Sequence, residues 1–388
     1  MKKLRVGVIY GGRSGEHEVS VASAAAIFKH LDRTRYEAVP IRIEKDGRWV
    51  LPDKAPLALS ASEVIEQARL QSARAMRPGR ETLLVSHPGE DTLVTIDRRP
   101  APGASEGEPE GAVVTGMGLD VVFPVLHGPF GEDGTVQGLL ELAAVPYVGS
   151  GVLASAAGMD KAAMKALFAA QGLPQTDYRV ITRHQWEQDA QGQAARLLAL
   201  GLPLFVKPAN LGSSVGISKV KAATGLVEAL AMAFAFDRKA VVEAAVPDPR
   251  EIECAVLGND EPEASVPGEV VPSREFYDYE AKYLDSGSAT MIPADLDAPT
   301  AAKIQALALE AFRAIDGAGM ARVDFLLSRS TGALLLNEIN TIPGFTTISM
   351  FSKLWEASGV GYAALLDRLI ALALERQREK QALRTSAF

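Results

Sequence analysis

The chain has 388 residues and a formal net charge of −8, long enough for two or three domains with sizeable cores. Its acidic balance argues against non-specific nucleic-acid binding, and Cys254, the single cysteine, excludes an intrachain disulfide and suits a reducing compartment. No apolar run is long enough for a bilayer, and Met1-Lys2-Lys3-Leu4 leads straight into a strand-like segment, so a cytoplasmic protein without membrane or nucleic-acid partners is expected.

Taken in chain order, residues 4–10 read as an apolar strand, Gly11 to Gly15 as a tight turn, and residues 19–31 as an Ala-rich helix. Strand, glycine turn and helix open a Rossmann-like α/β unit. Residues 37–44 alternate as a second strand, 120–126 form a buried strand ending at His127-Gly128, 135–144 a helix and 145–148 a short strand. Between them, residues 51–118 have weak periodicity and read as an insertion without chemistry of its own. Within it, 101–111 is rich in Pro, Gly and Glu and reads as a mobile loop or hairpin. These segments make up a first domain, 1–149.

A central part, 150–222, is expected to hold helices over 152–171, a strand over 202–208, a loop over 209–214 and a strand over 215–220. A C-terminal part, 223–388, opens with strands over 240–246 and 252–257. Its segment 276–290, rich in Tyr, Asp and Gly, reads as a lid loop. Helices are expected over 300–315 and 362–379, and the basic, polar tail after Arg376 is assigned nothing.

The most informative runs are Arg322-Val323-Asp324 and Glu338-Ile339-Asn340, in strand-like stretches 320–327 and 333–341. In a strand, residues i and i+2 share a face. Arg322 and Asp324 therefore face one way, as do Glu338 and Asn340, while Val323, Phe325 and Ile339 turn towards a core. If the strands pair through the polar turn 328–332, three hard oxygen donors and a guanidinium converge. Such donors, without His or Cys, suit Mg²⁺ completed by water and phosphate oxygens. Two charged positions alone would read as a surface hairpin with a salt bridge; four on one face of apolar strands read as a site.

Other segments are ambiguous singly. Lys207-Pro208-Ala209-Asn210-Leu211-Gly212-Ser213-Ser214-Val215-Gly216 could cradle phosphate with backbone N–H groups and the Lys207 charge, or be a plain hairpin turn. It is not a Walker A loop. Gly212 to Gly216 also satisfies G-x-S-x-G, but a nucleophile elbow leads into a helix, and a strand is expected here. All five histidines precede Ser214, against the hydrolase order Ser, acid, His. Lys161 opens a helix and could reach phosphate or be solvated. Glu243 could accept from an adenine amino group with Val246 backbone at the ring edge, and Glu251 from ribose hydroxyls; each could equally be a strand-end charge in water. Glu16 could bind a substrate ammonium or complement a helix dipole. His127-Gly128-Pro129-Phe130-Gly131-Glu132-Asp133-Gly134 lies where open α/β sheets bind ligands, although its glycines also suit a turn.

Together these segments resemble the D-alanine–D-alanine ligase family of bacterial ATP-grasp enzymes, from residue 4 to about residue 375 apart from 51–118. The motifs that carry the likeness are Gly11 to Ser20, His127 to Gly138, Gly149-Ser150-Gly151 with Met159-Asp160-Lys161, Gly212 to Gly216, Tyr277-Asp278-Tyr279-Glu280-Ala281-Lys282-Tyr283, and Arg322 to Gly344. The resemblance implies an α/β (α+β) architecture, a Rossmann-like N-terminal domain followed by a two-lobed ATP-grasp domain. It implies ATP-dependent joining of two D-alanines, with Lys161 and Lys207 on the ATP phosphates and the loop Ser213, Ser214, Val215, Gly216 closing over them. Glu243 and Val246 would meet adenine and Glu251 the ribose. Asp324, Glu338 and Asn340 would hold two Mg²⁺ ions, for which Mn²⁺ could substitute.

Glu16 would bind the ammonium of the first D-alanine, with His127 also at the substrate. Arg322 and the Gly344 backbone would stabilise the oxyanion, and Ser349 and Lys282 would help hold the second substrate and the phosphoryl group. Tyr283 would bond Ser213 and Glu16 and latch the lid. The full Tyr-Glu-Ala-Lys-Tyr run favours a dipeptide product over D-alanyl-D-lactate. His17, where some members have arginine, and the long insertion depart from the family pattern. A homodimer is implied. The rivals are a D-alanine–D-lactate ligase, another ATP-grasp carboxylate–amine ligase, and a non-enzymatic nucleotide-binding module.

Overall fold

Strand β1 (Leu4–Gly11) is buried from Val6 onward, as a parallel strand covered on both faces should be. It lies in register between β2 (Tyr36–Ile43) and, further along the chain, a strand at Val121–Val125, parallel to both. The computed structural model that gives this arrangement describes residues 2–58, 60–71, 80–99, 111–271, 289–346 and 348–384. The chain divides into two compact units. The first comprises Met1–Gly149, Gly344–Ser352 and Val360–Phe388; the second comprises Ser150–Pro343 and Lys353–Gly359.

In the first unit the helix His17–His30 packs a run of alanines against the sheet, where small side chains allow close approach. Ser20 fastens it: its hydroxyl donates to the Val125 carbonyl and accepts from the Gly11 N–H at 2.8 Å. The described residues of the stretch with weak periodicity include sheet strands and a helix. Strands β3 (Trp49–Leu51), β4 (Arg80–Leu84), β5 (Leu93–Arg99) and β6 (Gly111–Met117) add antiparallel to β2 one after another, with a helix at Ala61–Gln71. With β7 (Val121–Val125) the order is β6-β5-β4-β3-β2-β1-β7. Of the expected loop over 101–111, residues 101–110 lie outside the described residues, and Gly111 begins β6. The short strand expected over 145–148 reduces to one parallel bridge, Val122 to Tyr147.

The helix expected over 362–379 is present as Tyr362–Ala382 and takes in part of the basic tail, to which no role was assigned. Arg376 donates to the carbonyls of Gly149 and Tyr147 and lies 4.4 Å from the Tyr147 ring centroid, while Lys380 pairs with Glu141. Phe345 is fully buried, edge-on to Phe123 at 5.6 Å and 5.4 Å from the ring of Phe351.

The second unit contains two antiparallel sheets. The smaller comprises β8 (Tyr178–Thr182), β9 (Leu204–Pro208), β10 (Ser218–Val220) and β11 (Lys239–Ala244), in the order β10-β9-β11-β8. Its core joins Ile181, Leu204, Val206 and Val242 to Leu197 and Leu230 of the helices Ala190–Leu198 and Leu226–Phe236. β10 starts three residues later than expected, because Ser213, Ser214 and Gly216 take left-handed backbone that a strand cannot use.

The larger sheet comprises β12 (Pro249–Gly258), β13 (Glu263–Ala264), β14 (Gly268–Val271), β15 (Ala289–Met291), β16 (Gly319–Ser328) and β17 (Leu334–Asn340). Its order is β15-β14-β12-β16-β17, with β13 on β12. Helices Val152–Met159, Lys161–Ala170 and Ala298–Ala314 contribute to its core with Ala157, Phe168 and Phe312, against Cys254, Val323, Phe325 and Ile339. Asp160 separates the first two helices and caps the second, accepting from the N–H groups of Ala162 and Ala163 at 3.0 Å. Among the described residues no single helix is long and apolar enough to cross a membrane.

Phe345 tests the aromatic cluster of the first unit. Phe345→Ala is expected to lower the unfolding free energy by about 3–5 kcal/mol, measured by urea denaturation. A loss below about 1 kcal/mol would show that the cluster contributes little.

Candidate active site

The site starts from strand pairing. In the register of β12, β16 and β17, Glu253 stands opposite Asp324, and Asp324 opposite Glu338. The neighbouring row is Ala255, Arg322, Asn340. Cys254, Val323 and Ile339 alternate with these positions and are buried on the other face. The expected pairing of Met320–Leu327 with Ala333–Thr341 is thus present over most of its length. A bulge follows Asp324: Phe325 faces Leu336, which leaves Asn337 as the extra residue beside Glu338.

Arg322 holds Asp324 with a two-pronged fork, Nε and Nη2 each 2.7 Å from a carboxylate oxygen. Its Nε also lies 3.1 Å from Glu253 Oε2. Lys161 Nζ lies 3.6 Å from Glu338 Oε2, and Asn340 Oδ1 accepts from the Ile342 N–H at 3.1 Å. Among the described residues no three His, Cys, Asp or Glu side chains group as a ready metal cluster. The donor set is nevertheless one of hard oxygens, two of them on directly opposed residues, which is the chemistry a magnesium ion takes.

A cavity of about 370 Å³ opens over this face. Its lining includes Lys161, Lys207, Ser213, Ser214, Glu243, Val246, Glu251, Glu253, Asp324, Asn337 and Glu338. Arg322, Asn340 and Val215 do not line it. At one side, Ser213 and Ser214 have φ of 49° and 60°, unusual for residues with a Cβ. Such a loop turns successive N–H groups in one direction, a concavity suited to anions. Gly216, at φ 72°, has no alternative: a Cβ there would come within 2.7 Å of Phe236 and 2.9 Å of Pro208. Lys161 Nζ donates to the Leu211 carbonyl at 2.6 Å and so ties this loop to its helix. A strand follows the loop, which removes the nucleophile-elbow reading.

In the wall of the cavity, and behind it, lies a buried charge cluster that sequence reasoning missed in part. Glu243, expected at an adenine ring, is held by two lysines: Lys207 Nζ at 2.9 Å and Lys165 Nζ at 3.3 Å. Lys207 also donates to Asn337 Oδ1 at 3.2 Å, and Lys165 sits 5.3 Å from the Tyr178 ring centroid. Lys165 is 0 % exposed. Its signal in the sequence was its place four residues after Lys161, on the same helical face. Burial pushes the Lys165 ammonium down from the ordinary lysine range, with Glu243 opposing. Burial is the largest influence on Lys207 and Glu243 and opposes both charges, but their attraction to each other, with that of Glu338 on Lys207 and of Lys165 on Glu243, together outweighs it, raising the one and lowering the other.

Four expected residues lie in the first unit. Glu16 precedes the helix His17–His30 and makes no side-chain cap bond there, so the dipole-capping alternative is not a hydrogen-bonded one. A Cβ on Gly128, φ 74°, would come within 2.9 Å of Glu16 Oε2, so glycine there makes room for the carboxylate. Ser14 Oγ donates to the His127 carbonyl at 2.6 Å and accepts from the Glu16 N–H at 3.2 Å. Ser23, which the sequence did not flag, faces His127 Nε2 at 3.4 Å and accepts from the Phe345 N–H at 3.1 Å. It links His127 to the segment that carries Gly344 and Ser349. Ser349 Oγ accepts from the Thr346 N–H at 3.0 Å, and a Cβ on Gly344 would meet it at 2.9 Å. Lys282, Tyr283 and the expected lid up to residue 288 lie outside the described residues.

Comparison with known proteins shows the family and the fold. The family profile described as D-ala D-ala ligase N-terminus matches residues 5–150, and that described as D-ala D-ala ligase C-terminus matches residues 167–371. A protein of Heliobacterium modesticaldum named D-alanine–D-alanine ligase is 50% identical over 387 residues, 98% of this chain and 97% of the relative. Among solved structures, the D-alanine–D-alanine ligase of Coxiella burnetii is 37% identical with a TM-score of 0.77, covering 98% of this chain and 97% of that one. The VanG D-Ala:D-Ser ligase of Enterococcus faecalis is 31% identical with a TM-score of 0.75, covering 96% and 100%.

The buried cluster makes two measurable demands. Lys165→Met leaves Glu243 short of a partner and is expected to cost about 3–5 kcal/mol of unfolding free energy. In acid the sign follows from Glu243, whose folded pKa is lowered: its stabilisation is present above the unfolded value, about 4.3, and lost as pH falls through the lower folded value. Glu243→Gln should therefore flatten that acid limb in urea titrations run between neutral and acidic pH; an unchanged limb would remove the assignment.

Proposed function

The chain belongs to the D-alanine–D-alanine ligase family of ATP-dependent ligases, and we propose that it joins two D-alanines into D-alanyl-D-alanine. The observation that carries this reading is the cavity in which Lys161, Lys207 and the Ser213-Ser214 loop face the same space as Asp324 and Glu338. Phosphate-binding charge and hard oxygen donors thus share one enclosure, as activation of a carboxylate by ATP requires.

The reaction has two steps. The carboxylate of the first D-alanine attacks the γ-phosphorus of ATP, giving D-alanyl phosphate and ADP. The amine of the second attacks the acyl carbon, and the tetrahedral oxyanion collapses to dipeptide and phosphate. Lys161, Lys207 and the backbone at Ser213, Ser214 and Val215 hold the phosphates, while Glu243, Val246 and Glu251 receive adenine and ribose. Asp324, Glu338 and Asn340 are the proposed ligands of two Mg²⁺ ions, replaceable by Mn²⁺, which when bound neutralise charge on the phosphate oxygens. Arg322 offers a fork of donors to the oxyanion, with the Gly344 backbone. Glu16 is assigned to the ammonium of the first D-alanine, His127 to substrate, and Ser349 and Lys282 to the second substrate and the phosphoryl group. Tyr283 is assigned to latching the lid through Ser213 and Glu16, which would keep water from the acyl phosphate.

Three working parts are proposed, 1–149, 150–222 and 223–388, with 276–290 as lid. The enzyme is proposed to work as a cytoplasmic homodimer, supplying dipeptide for peptidoglycan precursors.

ADP release measured with D-alanine, L-alanine, D-lactate or D-serine, with and without Mg²⁺, tests the reading. Release that needs both D-alanine and Mg²⁺ is expected; none with D-alanine, or equal rates with L-alanine, would overturn it. Asp324→Ala should abolish turnover with circular dichroism unchanged, and wild-type activity in that variant would remove the metal assignment. Arg322→Lys should lower kcat about a hundredfold, because a point charge does not replace a planar fork; an unchanged kcat would take the oxyanion role from Arg322.

A further inference from the structure

We propose that Glu253 is a positioning residue for Arg322, holding the guanidinium in place when Asp324 turns to a metal ion. The inference rests on the reading above, and Glu253 has no part in the family resemblance drawn from the sequence. Three facts support it. First, the register makes a line of three carboxylates across three strands, Glu253, Asp324 and Glu338, with Arg322 one row along. Second, Arg322 spends its fork on the central acid, 2.7 Å to each oxygen, and its Nε is also 3.1 Å from Glu253 Oε2. Third, the side chains of Arg322 and Glu253 are only 17% and 12% exposed, so water cannot readily replace a lost partner for either.

Metal binding makes these facts consequential. A carboxylate that turns to a dication gives up acceptor positions, and the dication repels the guanidinium. With Asp324 as its only anchor, Arg322 would be loosened at the step in which its geometry matters. Glu253 lies on β12, on the side of Asp324 away from Glu338, so it can retain Arg322 while Asp324 and Glu338 serve the metal. β12 is fixed from behind by fully buried Ile252 and Cys254, which keeps Glu253 from following Asp324. Ala255, opposite Arg322, presents only a methyl group, leaving space for the guanidinium to reach across the strand. The same carboxylate acts through Arg322 and touches no reacting atom.

The test uses the full chain as wild type, Glu253→Gln and Glu253→Asp. Glu253→Gln keeps size and removes charge. It is expected to bind Mn²⁺ in the presence of ADP within about twofold of wild type, read from the free Mn²⁺ signal in electron paramagnetic resonance. Its kcat should fall about tenfold or more with KM for ATP unchanged, the pattern of an interaction made mainly in the transition state. Affinity for a dipeptide phosphinate, whose tetrahedral anion stands for the reacting oxyanion, should fall with kcat. Glu253→Asp, which keeps the charge on a shorter arm, should recover part of both. A tenfold loss of Mn²⁺ affinity would make Glu253 a metal ligand and overturn the proposal. Wild-type kcat and phosphinate affinity in Glu253→Gln would overturn it as well, while D-alanine turnover by the wild type left the proposed function standing. No D-alanine turnover by the wild type would bring down both.

Discussion

The antiparallel register of β12, β16 and β17 is the constraint on which the site depends. It decides that Glu253, Asp324 and Glu338 stand in one row and that Arg322 and Asn340 stand in the next. The same register puts Cys254, Val323, Phe325 and Ile339 into the core of the second unit. Hydrophobic burial on one face and charge on the other are therefore a single choice. A slip of one residue would expose the core and bury the acids, so the packing that stabilises the sheet also fixes the chemistry. The bulge after Asp324 refines the arrangement. It places Asn337 within reach of Lys207, at 3.2 Å, without moving Glu338 from its place opposite Asp324.

Charge concentrated in this way is costly unless it is paired, and pairing runs through both layers of the site. Arg322 answers Asp324 and Glu253, Lys161 approaches Glu338, and Lys207 and Lys165 share Glu243. A nucleotide and its metal ions would replace these partners rather than meet bare charges. Lys165 differs from the others because it is wholly buried and does not line the cavity. It can remain with Glu243 if Lys207 turns to phosphate. The loop above adds a second kind of preparation. Two serines in left-handed backbone are strained, and such strain tends to persist where function uses the conformation.

Period-two alternation made the paired strands legible in the sequence, because two charged pairs inside apolar runs leave few other arrangements. The strand, glycine turn and helix at residues 4–30 were legible for a different reason: a buried parallel strand is apolar throughout. Strands β3 to β6 were not. β3 has three residues and β4 buries a single one, so neither period stands out there from turn-rich surroundings. Glu253 went unremarked because it is the one acid in the expected strand 252–257, where it looks like any strand charge until its partner across the ladder is known. Lys165 was hidden because a lysine on a helix reads as solvated, and only tertiary packing shows that this one is enclosed. The C-terminal helix was expected to residue 379, but its anchoring was not legible, since Arg376 and Lys380 bond to Gly149, Tyr147 and Glu141, more than two hundred positions away.

Activation of a carboxylate by phosphoryl transfer is the chemistry proposed for this site. D-alanine labelled with ¹⁸O in its carboxylate tests this directly, with mass spectrometry of the inorganic phosphate released. Attack of that carboxylate on the γ-phosphorus predicts one labelled oxygen in each phosphate formed. Unlabelled phosphate, with dipeptide still produced, would contradict it.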